Sequence, residues 1–135
     1  MRPSVVCDAS AVVAVLLDGG AAGRWATDAV AGTELVAPSL LTYECANIVR
    51  RHELAGIVSA DQAAQAHSDL LDLAIEHWPY ELVANRIWEL RRNLTVYDAS
   101  YVAVAEATQS TLVTLDHAID RAPGLQCAVA TPPLA

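Results

Sequence analysis

At 135 residues the chain has room for one domain with a real core, and too little for two. Its net charge of −8, from 16 acids against 8 arginines and no lysine, argues against charge-driven binding of nucleic acid and favours a basic partner or a cation-holding acidic pocket. The hydrophobic share is high at 54%, yet the longest apolar run, Ala11–Leu17, falls far short of the ~20 residues of a membrane span. The opening Met1-Arg2-Pro3-Ser4 lacks the basic-then-apolar plan of a secretion signal. A cytoplasmic protein with no membrane association is expected, its surplus apolar surface covered by a partner.

In chain order, Ser4–Cys7 reads as a short buried strand and Ala9–Leu17 as an apolar helix stopped by Asp18-Gly19-Gly20. Ala21–Ala31 is a second helix, and Leu35-Val36-Ala37 a short strand. Pro38-Ser39 opens a long helix whose buried face carries Leu41, Cys45, Ile48 and Val49, and Gly56 ends it. Ser59 caps a helix over 60–75, and His77-Trp78 forms a brief strand. Helices follow over 80–92 and 97–109. Thr111–Leu115 is a strand, Asp116–Arg121 a short helix and Gln126–Ala130 the last strand. The strands are short and continuously apolar and alternate with helices, the pattern of a parallel sheet covered on both faces. The reading is a single α/β domain over 1–135, a three-layer α/β/α sandwich with about five strands. Ligands of such sheets bind at the carboxyl ends of the strands, where strand order reverses.

Cys7, Cys45 and Cys127 form no disulfide framework and read as small buried hydrophobes. His52, His67, His77 and His117 show no zinc-ligand spacing. Four acids stand out by position. Asp8 follows the first strand and Asp116 follows the strand Leu112–Leu115. Asp98 begins the helix that runs through Glu106, and Glu44 sits in the second turn of the helix opened by Ser39, at the border of its buried face. Each also has a plain structural reading. Asp8 and Asp116 suit helix caps, Thr95 to Asp98 matches a capping box, and Glu44 suits a solvated edge. Together they point to one pocket. Two unit charges ~4 Å apart repel by about 4 kcal/mol at an effective dielectric of ~20, and a hard divalent cation relieves that repulsion. All-oxygen ligation with no His or Cys pattern suggests Mg²⁺ or Mn²⁺, which activates water and shields a phosphodiester. Ser10, two residues after Asp8, and Thr114, two before Asp116, suit hydrogen bonds to these carboxylates, while Asp120 reads more readily as solvated.

These residues resemble the PIN-domain family. Val5-Val6-Cys7-Asp8-Ala9-Ser10 looks like its strand-then-Asp-x-Ser start, and Glu44-Cys45-Ala46-Asn47 like the Glu-x-x-Asn frequent in VapC-type toxins. Tyr97–Glu106 resembles the VapC signature around the third acid, and Thr114-Leu115-Asp116 the Thr-x-Asp that ends the fourth strand. Order and spacing agree over essentially the whole chain. The resemblance implies an Mg²⁺- or Mn²⁺-dependent endoribonuclease, the toxin of a type II toxin–antitoxin pair, with Asp8 and Asp98 as principal ligands and Glu44 and Asp116 completing the set. It also implies a homodimer and a VapB-type antitoxin over the acidic pocket. Products with a 5′-phosphate and a 3′-hydroxyl are expected.

Rival readings are weaker. A HAD-type phosphatase needs a second Asp where Ser10 stands, and a receiver domain needs a Lys that this chain lacks. An inactive binding scaffold and a DNA nuclease stay open to test. Arg50-Arg51, Arg91-Arg92 and Arg86 suit solvated helix faces better than phosphate contacts, and Trp25, Trp78 and Trp88 suit core or interface packing better than base stacking.

Overall fold

In a computed structural model that describes residues 2–134, five strands form one all-parallel sheet. The strands are β1 (Ser4–Cys7), β2 (Glu34–Pro38), β3 (Ile75–Trp78), β4 (Thr111–Val113) and β5 (Val129–Ala130), in spatial order β3-β2-β1-β4-β5. The helices are α1 (Ala9–Leu17), α2 (Ala21–Val30), α3 (Leu41–Leu54), α4 (Ala60–Asp72), α5 (Ala84–Glu89), α6 (Val96–Ala107) and α7 (His117–Asp120). Helix α6 packs over β2, β1 and β4 with α5 beside it, while α1 to α4 pack on one another. The expected layered parallel-sheet architecture is the one observed.

The chain moves outward from β1 through β2 to β3, then crosses back to lay β4 on the other side of β1. Strand order therefore reverses between β1 and β4, the place where such sheets bind their ligands. Pairing continues to the strand ends, where the Asp8 N–H donates to the Val113 carbonyl at 3.0 Å. The central strand is apolar from Val5 to Cys7, and Val6, Leu112, Val102, Val104 and Ile87 are among the fully buried side chains. Helix α6 has seven consecutive buried residues, Ala99–Ala105, because it lies between the sheet and α5. An element enclosed on all sides loses the polar face that surface helices show.

Several boundaries differ from the sequence reading. Helix α3 starts at Leu41 with Leu40 as cap, so Glu44 lies in its first turn rather than its second. Ser39 turns instead to β3, where its N–H and hydroxyl donate to the Trp78 carbonyl at 2.9 and 3.1 Å. Helix α4 ends at Asp72, and Ile75 begins β3 by pairing with Leu35. The expected helix over 80–92 is a 3₁₀ turn at Tyr80–Leu82 followed by the short α5. Strand β5 keeps only Val129 and Ala130 of the expected five residues.

Candidate active site

Asp8 emerges from β1 at the reversal point and caps α1. It is 6% exposed, the most buried of the four acids. Its Oδ1 accepts from Ser10 Oγ at 2.6 Å and from the Ala11 N–H at 3.1 Å, and its Oδ2 accepts from Thr114 Oγ1 at 2.5 Å. A carboxylate has about four lone-pair sites. Three are taken, so Asp8 keeps one, on Oδ2.

The same hydroxyls tie the neighbouring strand end in place. Ser10 Oγ accepts from the Leu115 N–H at 3.2 Å, and Thr114 Oγ1 accepts from the Asp116 N–H at 2.9 Å. Asp116 is exposed and caps α7 by accepting from the Ala118 N–H at 2.8 Å. Thr114 is fully buried and bridges two of the acids, a larger part than its residue type signalled. Asp120 is exposed at the end of α7, in keeping with the solvated reading.

Asp98 and Glu44 come from the first turns of α6 and α3. Thr95 caps α6, accepting from the Asp98 N–H at 3.1 Å. Glu44 is held from α6 as well: the buried Tyr101 hydroxyl donates to its Oε1 at 2.5 Å. Sequence reasoning did not single out Tyr101. Its signal was the i, i+3 spacing from Asp98, which places both on one stripe of the helix. A tyrosine inside an apolar run otherwise reads as core.

Electrostatics join the four acids. Burial raises the Asp98 pKa first, and the charges of Asp116, Asp8 and Glu44 raise it further, against a lowering hydrogen bond from Thr95. Burial likewise raises Asp8, opposed by its bonds to Ser10, Thr114 and Ala11, while the Asp116 charge pushes it up. Asp98 therefore lies within electrostatic reach of the other three acids. The nearby thiols are buried in the hydrophobic core, Cys7 at 3% and Cys45 at 0% exposure. Burial, with the charges of Glu44 and Asp8, pushes Cys45 up to about 12, and burial raises Cys7 well above its ordinary value. The donor set is therefore oxygen, the set a hard divalent ion takes. Among the described residues no three His, Cys, Asp or Glu side chains stand close enough to hold an ion as placed.

The basic residues are sparse here. Arg86 is engaged elsewhere, with Nε donating to Glu106 Oε1 at 2.6 Å and an NH₂ group donating to Glu106 Oε2 at 3.1 Å and to the Gly124 carbonyl at 2.8 Å. Arg50, Arg51, Arg91 and Arg92 are exposed. Trp88, expected in a core or interface, is 58% exposed, and the Arg91 guanidinium lies over its ring at 4.6 Å.

A family model described as the PIN domain matches residues 5–125, and the chain belongs to that family. It is similar to ribonuclease VapC9 of Mycobacterium tuberculosis, with 36% identity covering 96% of this chain and 98% of that protein. Ribonuclease VapC1 of the same organism is also 36% identical, covering 92% and 94%. Two solved structures share the fold. VapBC2 from Rickettsia felis, bound to a promoter DNA fragment, gives a TM-score of 0.67 at 14% identity, covering 95% of this chain and 98% of that one. VapC20 from Mycobacterium tuberculosis, a sarcin–ricin loop cleaving toxin, gives 0.65 at 16% identity, covering 87% and 93%.

Proposed function

We propose that this chain is a divalent-metal-dependent endoribonuclease and the toxin half of a VapBC-type pair. The observation that carries the reading is a PIN-family chain whose relatives are VapC ribonucleases; Asp8 at the strand-order reversal, and an Asp98 that feels the charges of Asp116, Asp8 and Glu44, support it. Asp8 and Asp98 are the principal ligands, and Glu44 and Asp116 complete the shell. Mg²⁺ or Mn²⁺ held there supplies Lewis-acid stabilisation of charge at the phosphodiester and lowers the pKa of water.

The chain's own groups set that chemistry up. Ser10, Ala11 and Thr114 aim Asp8 and leave it one free lone pair, on Oδ2, through which it would hold the ion. Tyr101 fixes Glu44. Water adds to the phosphorus as the P–O3′ bond breaks; its oxygen stays on the 5′-phosphate and O3′ takes up a proton to leave as the 3′-hydroxyl. The net acidic charge, with exposed hydrophobics such as Tyr43, Leu54 and Tyr97, suits a basic, partly apolar antitoxin segment of the VapB type laid over the acids. A homodimer of single-domain chains in the cytoplasm fits the same reading, and no helix among the described residues is long and apolar enough to cross a membrane.

The test is cleavage of RNA by the purified chain with Mn²⁺, with the product ends mapped. The parent is expected to cut, and Asp8→Asn to fall to background with an unchanged circular dichroism spectrum. A variant that cuts like the parent under matched metal overturns the assignment. A parent inert to RNA leaves the scaffold reading in its place.

A further inference from the structure

The carboxyl edge of the sheet carries a second feature beside the acids. Where β2 and β3 end, a cavity of about 200 Å³ opens between the β2–α3 turn, the segment after β3 and the start of α6. Its walls include Leu40, Trp78, Tyr80, Val83, Val96 and Tyr97. Tyr97 and Tyr80 are 63% and 47% exposed, so aromatic surface borders the opening. Tyr97 immediately precedes Asp98, so one wall of the cavity carries the residue next to a candidate metal ligand.

No Asp, Glu, Arg or His lines this cavity. Its two serine hydroxyls already donate, Ser39 to the Trp78 carbonyl at 3.1 Å and Ser100 to the Tyr97 carbonyl at 2.6 Å. A slot lined by Trp78, Tyr80, Tyr97 and aliphatic side chains, with its serine protons spent, offers stacking and apolar contact. A nucleobase turned out of a strand is the part of RNA that such a slot fits. It also eases the charge problem, because stacking needs no basic surface.

We propose that this slot binds one unpaired nucleobase adjacent to the scissile phosphate, with Tyr97 as the stacking platform. The inference rests on the ribonuclease reading and deepens it. The substrate is RNA with a splayed nucleotide at the cut, and the slot sets which side of that nucleotide is cleaved. Stacking is sequence-tolerant, so the slot selects for a base over none more strongly than among bases.

The test is a mutant cycle with a labelled oligoribonucleotide and variants made abasic at each position in turn, cut with Mn²⁺. For the parent, one abasic position next to the cut is expected to raise KM by about ten-fold or more. Tyr97→Ala should raise KM for the intact RNA similarly and be indifferent to that abasic site. Tyr97→Phe should behave as the parent, and Trp88→Ala, outside the slot, should change neither. In a parallel binding assay with Ca²⁺ in place of Mn²⁺, 2-aminopurine at that position should be quenched by the parent and not by Tyr97→Ala. Effects of the two changes that multiply, or no sensitive position beside the cut, overturn the slot while leaving the nuclease intact. A parent that cuts no RNA overturns both. Dissociation of a dimer by Tyr97→Ala with KM unchanged assigns the slot to a second copy of the chain and overturns it as a base site.

Discussion

Asp8 has two duties that pull in opposite directions. As the cap of α1 it needs only an acceptor oxygen, and Asn serves as well. As a buried carboxylate beside other acids it is a charge that folding must carry. Asp8→Asn is therefore expected to raise the stability of the metal-free protein by about 0.5–2 kcal/mol in urea unfolding, while removing cleavage. The pH dependence follows from the same residue. Burial and like charge raise Asp8 and Asp98, so the folded chain holds their protons more tightly than the unfolded one. Their contribution to stability is full below the ordinary carboxylate range and is lost as pH rises through the raised values. Metal binds the charged forms, so Mn²⁺ affinity moves the other way. Between about pH 4 and neutrality, the metal-free melting temperature should fall while calorimetric Mn²⁺ affinity rises. Tyr101 acts through Glu44 alone. Tyr101→Phe keeps the ring and loses the 2.5 Å bond, and should weaken Mn²⁺ binding or activity about 10–100-fold. If that is its role, Tyr101→Phe should add little once Glu44 is already Gln.

Among the elements, the α1–α2 corner depends on one glycine. A Cβ on Gly23 would lie 1.6 Å from the Asp18 carbonyl oxygen and 2.9 Å from that of Ala14, so α2 could not keep its approach to the end of α1. Gly23→Ala should destabilise by about 1–3 kcal/mol or more, read as a lower urea midpoint. Sequence reading passed over this glycine, because nothing in Ala21–Val30 as a helix says how closely it crosses its neighbour. The misplaced end of α4 has a similar cause. Leu73, Ala74 and Ile75 continue a helical pattern in sequence, but Ile75 pairs with Leu35 and the edge strand takes it. Helix α5 shrinks because Val83 departs from helical geometry after the 3₁₀ turn, a break that no proline or glycine announces. Arg86 was expected on a solvated face; its bond to Glu106, and the bond from the Gln126 N–H to the same carboxylate at 2.8 Å, instead tie α5 and α6 to the segment before β5.

At the scale of the molecule, the net charge is −8, and Asp98 feels the charges of Asp116, Asp8 and Glu44. An ion bound there only by the folded state stabilises it by mass action, about 2.7 kcal/mol at a hundred-fold excess over its dissociation constant. Mn²⁺ should raise the melting temperature of the parent, EDTA should reverse it, and Asp8→Asn should respond weakly. A chain with no such response in scanning calorimetry would argue against a shared metal site.

The strand-then-acid junctions at Asp8 and Asp116, the parallel α/β alternation and the candidate acids were all legible along the chain. Local pattern reports them, since each depends on residues within a few positions of one another. The sequence did not reveal that Thr114 and Ser10 lash two strand ends together, that Tyr101 reaches Glu44 across 57 positions, or that an aromatic slot opens beside Asp98. Those contacts join segments far apart in the chain. They exist only once strand order reverses at β1 and brings the separated ends of the sheet to one edge.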